Sequence, residues 1–316
     1  MPGDIRVGII GRADNTGLGV ETWEFCRHIE SKVLIMDMGY QIYPERFKAP
    51  IIVKEYLEED QVRSFLKDID LLFTIETPYN PKVYEIARKM GVKSVLRVNY
   101  EWLRDDYRPD FYLAPSLFHY SNIPGPKAYL PFPINRDVLP FKLRKKAKKF
   151  LHIAGNMKAA YDRNGTQLLI EAQKYIRSEA EIIIKSQKDH DFENYWEIWE
   201  DADVYVSPRR YAGQSLPLNE AMSRGMAIMM TDMEPQNRFL PKELLIPTKF
   251  KTKFKINKEI EIADIDPRDI ARKIDEIYNQ DISKYSKISN HIAEEWSWKK
   301  LKPEYIKLFK KICLYQ

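Results

Sequence analysis

The sequence predicts an α/β fold with two doubly wound parallel sheets, each in its own domain. Three observations carry this expectation. Short apolar runs alternate with helical stretches. That alternation stops in a proline-rich stretch and then restarts, and three helical segments close the chain. Strands that read as continuous apolar runs, not as alternating ones, belong to parallel sheets covered by helices on both faces.

The first series begins with Ile5–Ile10, followed by Gly11, Gly17 and Gly19 and a helical stretch over Val20–Ile29. Strands follow at Val33–Met36, Ile51–Val53, Leu71–Ile75, Val95–Val98 and Phe111–Leu113. Helices are expected over Glu58–Lys67 and after Asn80–Pro81, the latter stopped by Gly91. Residues 124–140 carry five prolines, and residues 142–149 read KLRKKAKK, together a linker with a solvated cationic face. The second series has strands at Phe150–Ala154, Glu181–Ile184, Val204–Val206 and Met226–Met230. Its helices are expected from about Gly165 and over 191–200 and 216–224, before closing helices near 267–279, 283–295 and 298–314. The expected domains are therefore 1–140 and 141–297, followed by a terminal helix over 298–316. Ligand sites of doubly wound sheets lie outside the carboxyl ends of the strands, here in one cleft faced by both.

Composition excludes several classes. The 316 residues hold 51 lysines and arginines against 46 acids, a net charge of +5, too mild and too mixed for a disordered polyion. Hydrophobic residues at 44% and aromatics at 12% suffice for sizeable cores. No stretch approaches the roughly 20 apolar residues of a membrane span, and MPGDIRVGII lacks the features of a signal peptide. Cys26 and Cys313 make neither a disulfide framework nor a zinc cage, and no histidine has ligand spacing. A cytoplasmic globular protein is expected.

Three segments point to chemistry. Gly11-Arg-Ala-Asp-Asn-Thr-Gly-Leu-Gly19 follows the first strand and opens a helix, where glycines allow close backbone approach and N–H groups face an anion. Its third glycine is missing and its loop is long, which argues against a dinucleotide fingerprint with Asp37 as the ribose acid. Gly155-Asn-Met-Lys158 and Asp162-Arg163-Asn-Gly165 occupy the equivalent place in the second series. There Lys158 and Arg163 bring two cations to a helix N-terminus, an arrangement suited to a diphosphate. The densest segment runs from Asp201 to Gly225: a strand, a loop with Gly213, and a helix with Glu220 one turn inside it. A carboxylate there can accept from both hydroxyls of a sugar diol.

ADVYVSPRRYAGQSLPLNEAMSRGMAIMMTD resembles the nucleotide-sugar signature of retaining GT-B glycosyltransferases, which act on UDP-, GDP- or ADP-sugars. FLHIAGN…DRNGTQLLIEA looks like the start of that family's second domain, and GRADNTGLGVETWEF like its first-domain glycine loop. WSWKKLKPEYIKLF resembles its last helix, which packs back on the first domain. The segments span nearly the whole chain in the right order, and the compact size resembles short transferases of phages and bacteria. The resemblance implies two Rossmann-like domains and transfer, with retention and without a metal, from a UDP- or GDP-sugar to a hydroxyl of a glycan, a protein or a modified base in DNA.

It further implies that Glu220 holds the donor ribose, and that Lys158 and Arg163 act catalytically on the diphosphate. Gly213, Gln214, Ser215 and Leu216 would offer donors at the helix start, and Gly17 and Gly19 would line the cleft opposite. Glu101 is the further catalytic candidate. Glu76, Asn99, Tyr100 and Trp102 follow strand ends on the acceptor side, with Tyr79 and Tyr107 as further aromatic candidates. Three positions depart from the family pattern. Ala212 stands where a glutamate is usual, Asn164 where a lysine is usual, and the strand ending Arg97-Val-Asn99-Tyr100-Glu101 lacks a histidine.

Cleavage of the anomeric bond builds positive charge on the sugar and negative charge on the diphosphate, so pre-aimed cations and helix dipoles lower the barrier. Asp201-Ala-Asp203 matches a metal-binding pattern but precedes a strand and reads as structural, and His152 reads as a packed core residue. Lysines 249, 251, 253 and 255 alternate along one face of a strand, reading as a guarded edge in preference to a phosphate-binding stripe. The rival readings are a binding protein without catalysis, suggested by Ala212 and the missing histidine, and the nicotinamide oxidoreductase with Asp37.

Overall fold

The computed structural model describes residues 5–155, 159–186, 195–211 and 213–314. The chain divides into two compact units, one of residues 1–132 with 298–316 and one of residues 133–297.

The first unit is built on seven parallel strands: β1 (Val7–Gly11), β2 (Ser31–Asp37), β3 (Ile51–Lys54), β4 (Leu71–Ile75), β5 (Lys93–Arg97), β6 (Phe111–Ala114) and β7 (Lys127–Tyr129). They lie in the order β3-β2-β1-β4-β5-β6-β7. The central strands β1 and β4 are buried at every position, as a sheet covered on both faces requires. Around them stand α1 (Gly17–His28), α2 (Glu59–Leu66) and α3 (Val83–Lys89). A capping box between Glu58 and Gln61 starts α2. Ahead of α3, Asn80 accepts from the Lys82 N–H at 2.9 Å and donates to the Leu57 carbonyl at 2.8 Å. Strand β7 lies in the proline-rich stretch that reads as linker; its three residues carry no apolar run to reveal it.

The second unit holds a parallel sheet of β8 (Lys149–Gly155), β9 (Glu181–Ser186), β10 (Val204–Ser207), β11 (Ala227–Thr231) and β12 (Leu245–Ile246), ordered β12-β11-β10-β8-β9. Its helices are α4 (Thr166–Ala172), α5 (Leu216–Ser223), α6 (Pro267–Ile277) and α7 (Ser283–Glu295). Residues 133–140 belong to this unit and not to the first, because Ile134 and Leu139 enter its core and the Ile134 N–H donates to the Trp296 carbonyl at 2.7 Å. The expected helix over 191–200 is a 3-10 turn over Tyr195–Trp199, its earlier part lying outside the described residues.

The KLRKKAKK segment is more than a solvated face. Arg144 is buried, and its guanidinium donates to the carbonyls of Trp199 at 2.7 Å and Glu200 at 2.9 Å. Asp203 accepts from the N–H groups of Lys148 and Lys149, both at 3.0 Å, so its carboxylate ties this segment to the start of β10.

The lysine-rich strand β13 (Lys249–Lys255) pairs with β14 (Glu259–Asp264) in an antiparallel ribbon. Register sets Lys249 opposite Asp264, Lys253 opposite Glu261 and Lys255 opposite Glu259, so each of these lysines meets an acid across the ribbon. Acids opposite three of the four lysines offset most of the positive stripe.

The chain ends in α8 (Trp298–Leu314), which belongs to the first unit. Its buried positions Trp298, Leu301, Tyr305, Phe309 and Ile312 follow helical period. Phe25 of α1 meets Trp298 and Tyr305 edge-on at 5.3 and 5.2 Å, the Trp298 indole N–H donates to Glu24 at 3.0 Å, and the Tyr305 hydroxyl donates to the Pro131 carbonyl at 3.0 Å.

Candidate functional site

Winding reverses once in each parallel sheet, and connections leaving the strands on either side of that point go to opposite faces. The gap between them is where such sheets place ligands. In the second unit the reversal lies between β8 and β10, in the first between β1 and β4.

In the second unit, the connections after β8 and β10 are stitched together. Gly165 has φ +72°, and a β-carbon there would lie 2.0 Å from the Pro208 carbonyl oxygen, so only glycine fits. The Arg210 N–H donates to the Arg163 carbonyl at 2.9 Å, the Arg210 guanidinium to the Tyr161 carbonyl at 2.9 Å, and the Tyr211 hydroxyl to the Ala160 carbonyl at 3.0 Å. Phe254 of the ribbon packs on Tyr161 and Tyr211, each at 5.0 Å, bracing both loops. A Gly165→Ala chain is expected to lose several kcal/mol of stability, seen as a lower unfolding temperature, because positive φ and backbone overlap both penalise it. An unchanged temperature would show that the loops shift freely.

Below the loops, His152 is fully buried. A carbonyl can only accept, so Nδ1 donates to Val206 at 2.9 Å and Nε2 accepts from the Thr166 hydroxyl at 2.8 Å, fixing a neutral ring that ties β8 to β10 and α4. Burial drives its pKa down to about 4, against smaller opposing effects of the Val206 bond and Asp162. The unfolded chain protonates near 6.5, so it binds the proton first, and stability is lost as pH falls between those values. The expected loss is about 3 kcal/mol over the whole window and about 2 kcal/mol by pH 4.5, and a His152→Gln chain should lose less stability than wild type by about that 2 kcal/mol in denaturant titrations at pH 7 and 4.5.

Arg163 is half-buried, its guanidinium 5.5 Å from the centre of the Tyr211 ring. Lys158 lies outside the described residues. The N-terminus of α4 is not open to a phosphate, because the Asp162 carboxylate already accepts from the N–H groups of Gln167 at 2.9 Å and Leu168 at 3.3 Å. Asn164 donates to the Ala154 carbonyl at 2.7 Å and shapes the loop.

The β10–α5 junction gathers the other residues. Ser215 caps α5, accepting from the Leu218 N–H at 3.3 Å, and Leu216 and Pro217 form its first turn. Gly213, Gln214 and Leu216 are half-buried beside it, as is Glu220 one turn on. Tyr205 is buried, and burial pushes its phenol pKa up, against the smaller opposing effects of the Ser207 side chain, Arg209 and the Ser215 side chain.

In the first unit, Gly17 opens α1 at the surface and Gly19 is enclosed, a β-carbon there lying 1.9 Å from the Asp14 carbonyl oxygen. At the end of β4, Glu76 adopts φ +60° and accepts from the Asn99 amide, while its N–H donates to the Arg97 carbonyl at 2.9 Å. Tyr100 stacks on His119 at 4.8 Å and Trp102 is 41% exposed. Glu101 is only 1% exposed, so a reactant reaches its carboxylate only if this turn opens. Sequence reasoning missed Arg12, which bonds Asp14 at 2.5 Å and lies over the Tyr40 ring at 4.8 Å. Its place directly after Gly11 at a strand end was the available signal. Arg12, Asp14 and Glu76 all lie near enough to Tyr79 to act on its phenol, whose pKa burial raises. Asp37 at the end of β2 accepts from the Gly39 N–H at 3.0 Å, a turn contact.

No family model matches the sequence, and no curated protein matches it. Solved structures do. HepE of Anabaena in complex with UDP and glucose superposes with a TM-score of 0.68 at 8% identity, over 97% of this chain and 100% of that one. The chain has the GT-B fold. An α-glucosyltransferase in complex with UDP and a 13-mer DNA containing an HMU base shares this GT-B fold at a TM-score of 0.56 and 11% identity, over 98% of this chain and all of that one. The GtfA/B complex gives 0.56 at 16% identity over 80% of this chain, which spans only 60% of that GT-B chain. Among the described residues no group of three or more His, Cys, Asp or Glu is placed to hold a metal, and no helix is long and apolar enough to cross a membrane.

Proposed function

We propose that the chain is a glycosyltransferase that moves a sugar from a UDP-sugar to a hydroxyl acceptor, with retention and without a metal ion. The observation that carries this reading is the β10–α5 junction at the reversal of the second sheet, where Ser215 caps α5 and Glu220 stands half-buried one turn inside that helix. Glu220 accepts from the two ribose hydroxyls. Gly213, Gln214, Ser215 and Leu216 offer backbone donors to phosphate and sugar, and Arg163, with Lys158, meets the charge that builds on the departing diphosphate. Protein cations that meet this charge make a metal unnecessary. The cluster of Arg12, Glu76, Tyr79 and Asn99 in the first unit is assigned to the acceptor, and the free cysteines Cys26 and Cys313 suit a cytoplasmic setting.

Thermal shift with free nucleotides tests the donor side. UDP is expected to raise the unfolding temperature in proportion to its saturation, GDP less, and NAD not at all. A shift with NAD alone would replace this reading with the oxidoreductase.

A further inference from the structure

The charge on α8 is strongly one-sided. Of 51 lysines and arginines and 46 acids, α8 holds six lysines (Lys299, Lys300, Lys302, Lys307, Lys310 and Lys311) and one acid, Glu304, leaving the remaining residues balanced at 45 of each sign. α8 therefore carries five more positive than negative charges. Its aromatic residues Trp298, Tyr305 and Phe309 face into the first unit, so at 100° per residue Lys299, Lys300, Lys307, Lys310 and Lys311 fall on the opposite side. Apolar groups stand among them: Leu314 is 67% exposed, and Pro303, Ile306 and Leu314 line a shallow groove with Lys302, Lys307 and Lys310.

We infer that the outward face of α8 is a docking surface for an anionic lipid bilayer. Lysines with long apolar stems can keep their charges at the headgroup phosphates while Leu314, Ile306 and Pro303 contact the acyl boundary. A nucleic acid is the poorer partner for this face. Its readers use arginine forks and stacking aromatics, whereas α8 has no arginine and turns all its aromatic rings inward. The lysine-rich ribbon of the second unit does not compete for this role, since its register pairs lysines with acids. The inference rests on charge and exposure of α8 alone and stands apart from the donor assignment.

Co-sedimentation of the full chain with vesicles tests it. Binding is expected to vesicles of mixed phosphatidylcholine and phosphatidylglycerol, to weaken in high salt, and to be absent from phosphatidylcholine alone. Each lysine near such a surface contributes about fivefold in partitioning, so a K302E/K307E/K310E chain should lose about a hundredfold or more, with unchanged circular dichroism and unfolding temperature. A Leu314→Ser chain should lose a few-fold toward vesicles and nothing toward duplex DNA. Equal partitioning into anionic and neutral vesicles would overturn the inference. So would duplex DNA binding that exceeds vesicle binding and is lost in the triple variant, which would make α8 a nucleic-acid surface instead.

Discussion

Replacing Glu220 with alanine is expected to lower kcat/KM for the nucleotide-sugar donor by about a hundredfold to a thousandfold while leaving the fold intact. A carboxylate that accepts from two hydroxyls makes two charge-assisted bonds, each contributing about 1.5–3 kcal/mol. Losing both costs roughly 3–6 kcal/mol, and the lower part of that range is that factor in rate. The ribose does not change during transfer, so these bonds are equally strong in ground and transition states, and the loss should appear chiefly as a higher KM. Glu220 is half-buried on α5 and outside the core, so the unfolding temperature should move little. Glu220→Gln keeps the shape but loses one acceptor and should fall between. Steady-state kinetics with the preferred donor decides it, and an unchanged KM in the alanine chain would remove Glu220 from the donor site.

The second large effect is on stability. Arg97 at the end of β5 and Glu21 on α1 form a buried ion pair at 2.5 Å, their side chains 1% and 5% exposed. Removing one member of such a pair leaves a desolvated charge and costs about 3–5 kcal/mol, whereas replacing both by apolar groups is close to neutral. Glu21→Ala is therefore expected to lower the denaturant midpoint of the first unit sharply, and Glu21→Ala with Arg97→Met to recover much of the loss. The Arg97 carbonyl also accepts from the Glu76 N–H, so the acceptor cluster should loosen in the single variant. A Glu21→Ala midpoint equal to wild type, or a double variant worse than the single, would contradict this account.

Much of the fold was legible because buried parallel strands leave apolar runs. Leu71–Ile75 and the helices over 283–295 and 298–314 have the bounds that pattern assigns. What escaped was short or polar. Strand β7 has only Lys127, Ala128 and Tyr129, and β14, reading Glu-Ile-Glu-Ile-Ala-Asp, alternates as an exposed ribbon does without marking its partner. The shift of residues 133–140 into the second unit depends on where Ile134 and Leu139 bury, which periodicity does not encode.

The candidate site was legible in outline for a similar reason. Glycine, serine and glutamate at fixed places around α5 leave a motif, whereas the occupied N-terminus of α4 depends on a contact. Asp162 was visible as a residue, but that its carboxylate caps the helix follows only from backbone geometry. Arg12 and the 1% exposure of Glu101 are likewise products of folding and not of spacing.

Nucleotide release from UDP-, GDP-, ADP-, CMP- and dTDP-sugars, with and without simple glycosides and hydroxymethylated DNA, tests the central claim most directly. Release is expected from a UDP-sugar, accelerated by a hydroxyl acceptor and, at donor concentrations below KM, lowered about a hundredfold or more by Glu220→Ala. No release from any donor, in a chain that still binds free UDP, would contradict it and leave a nucleotide-sugar binding protein without catalysis.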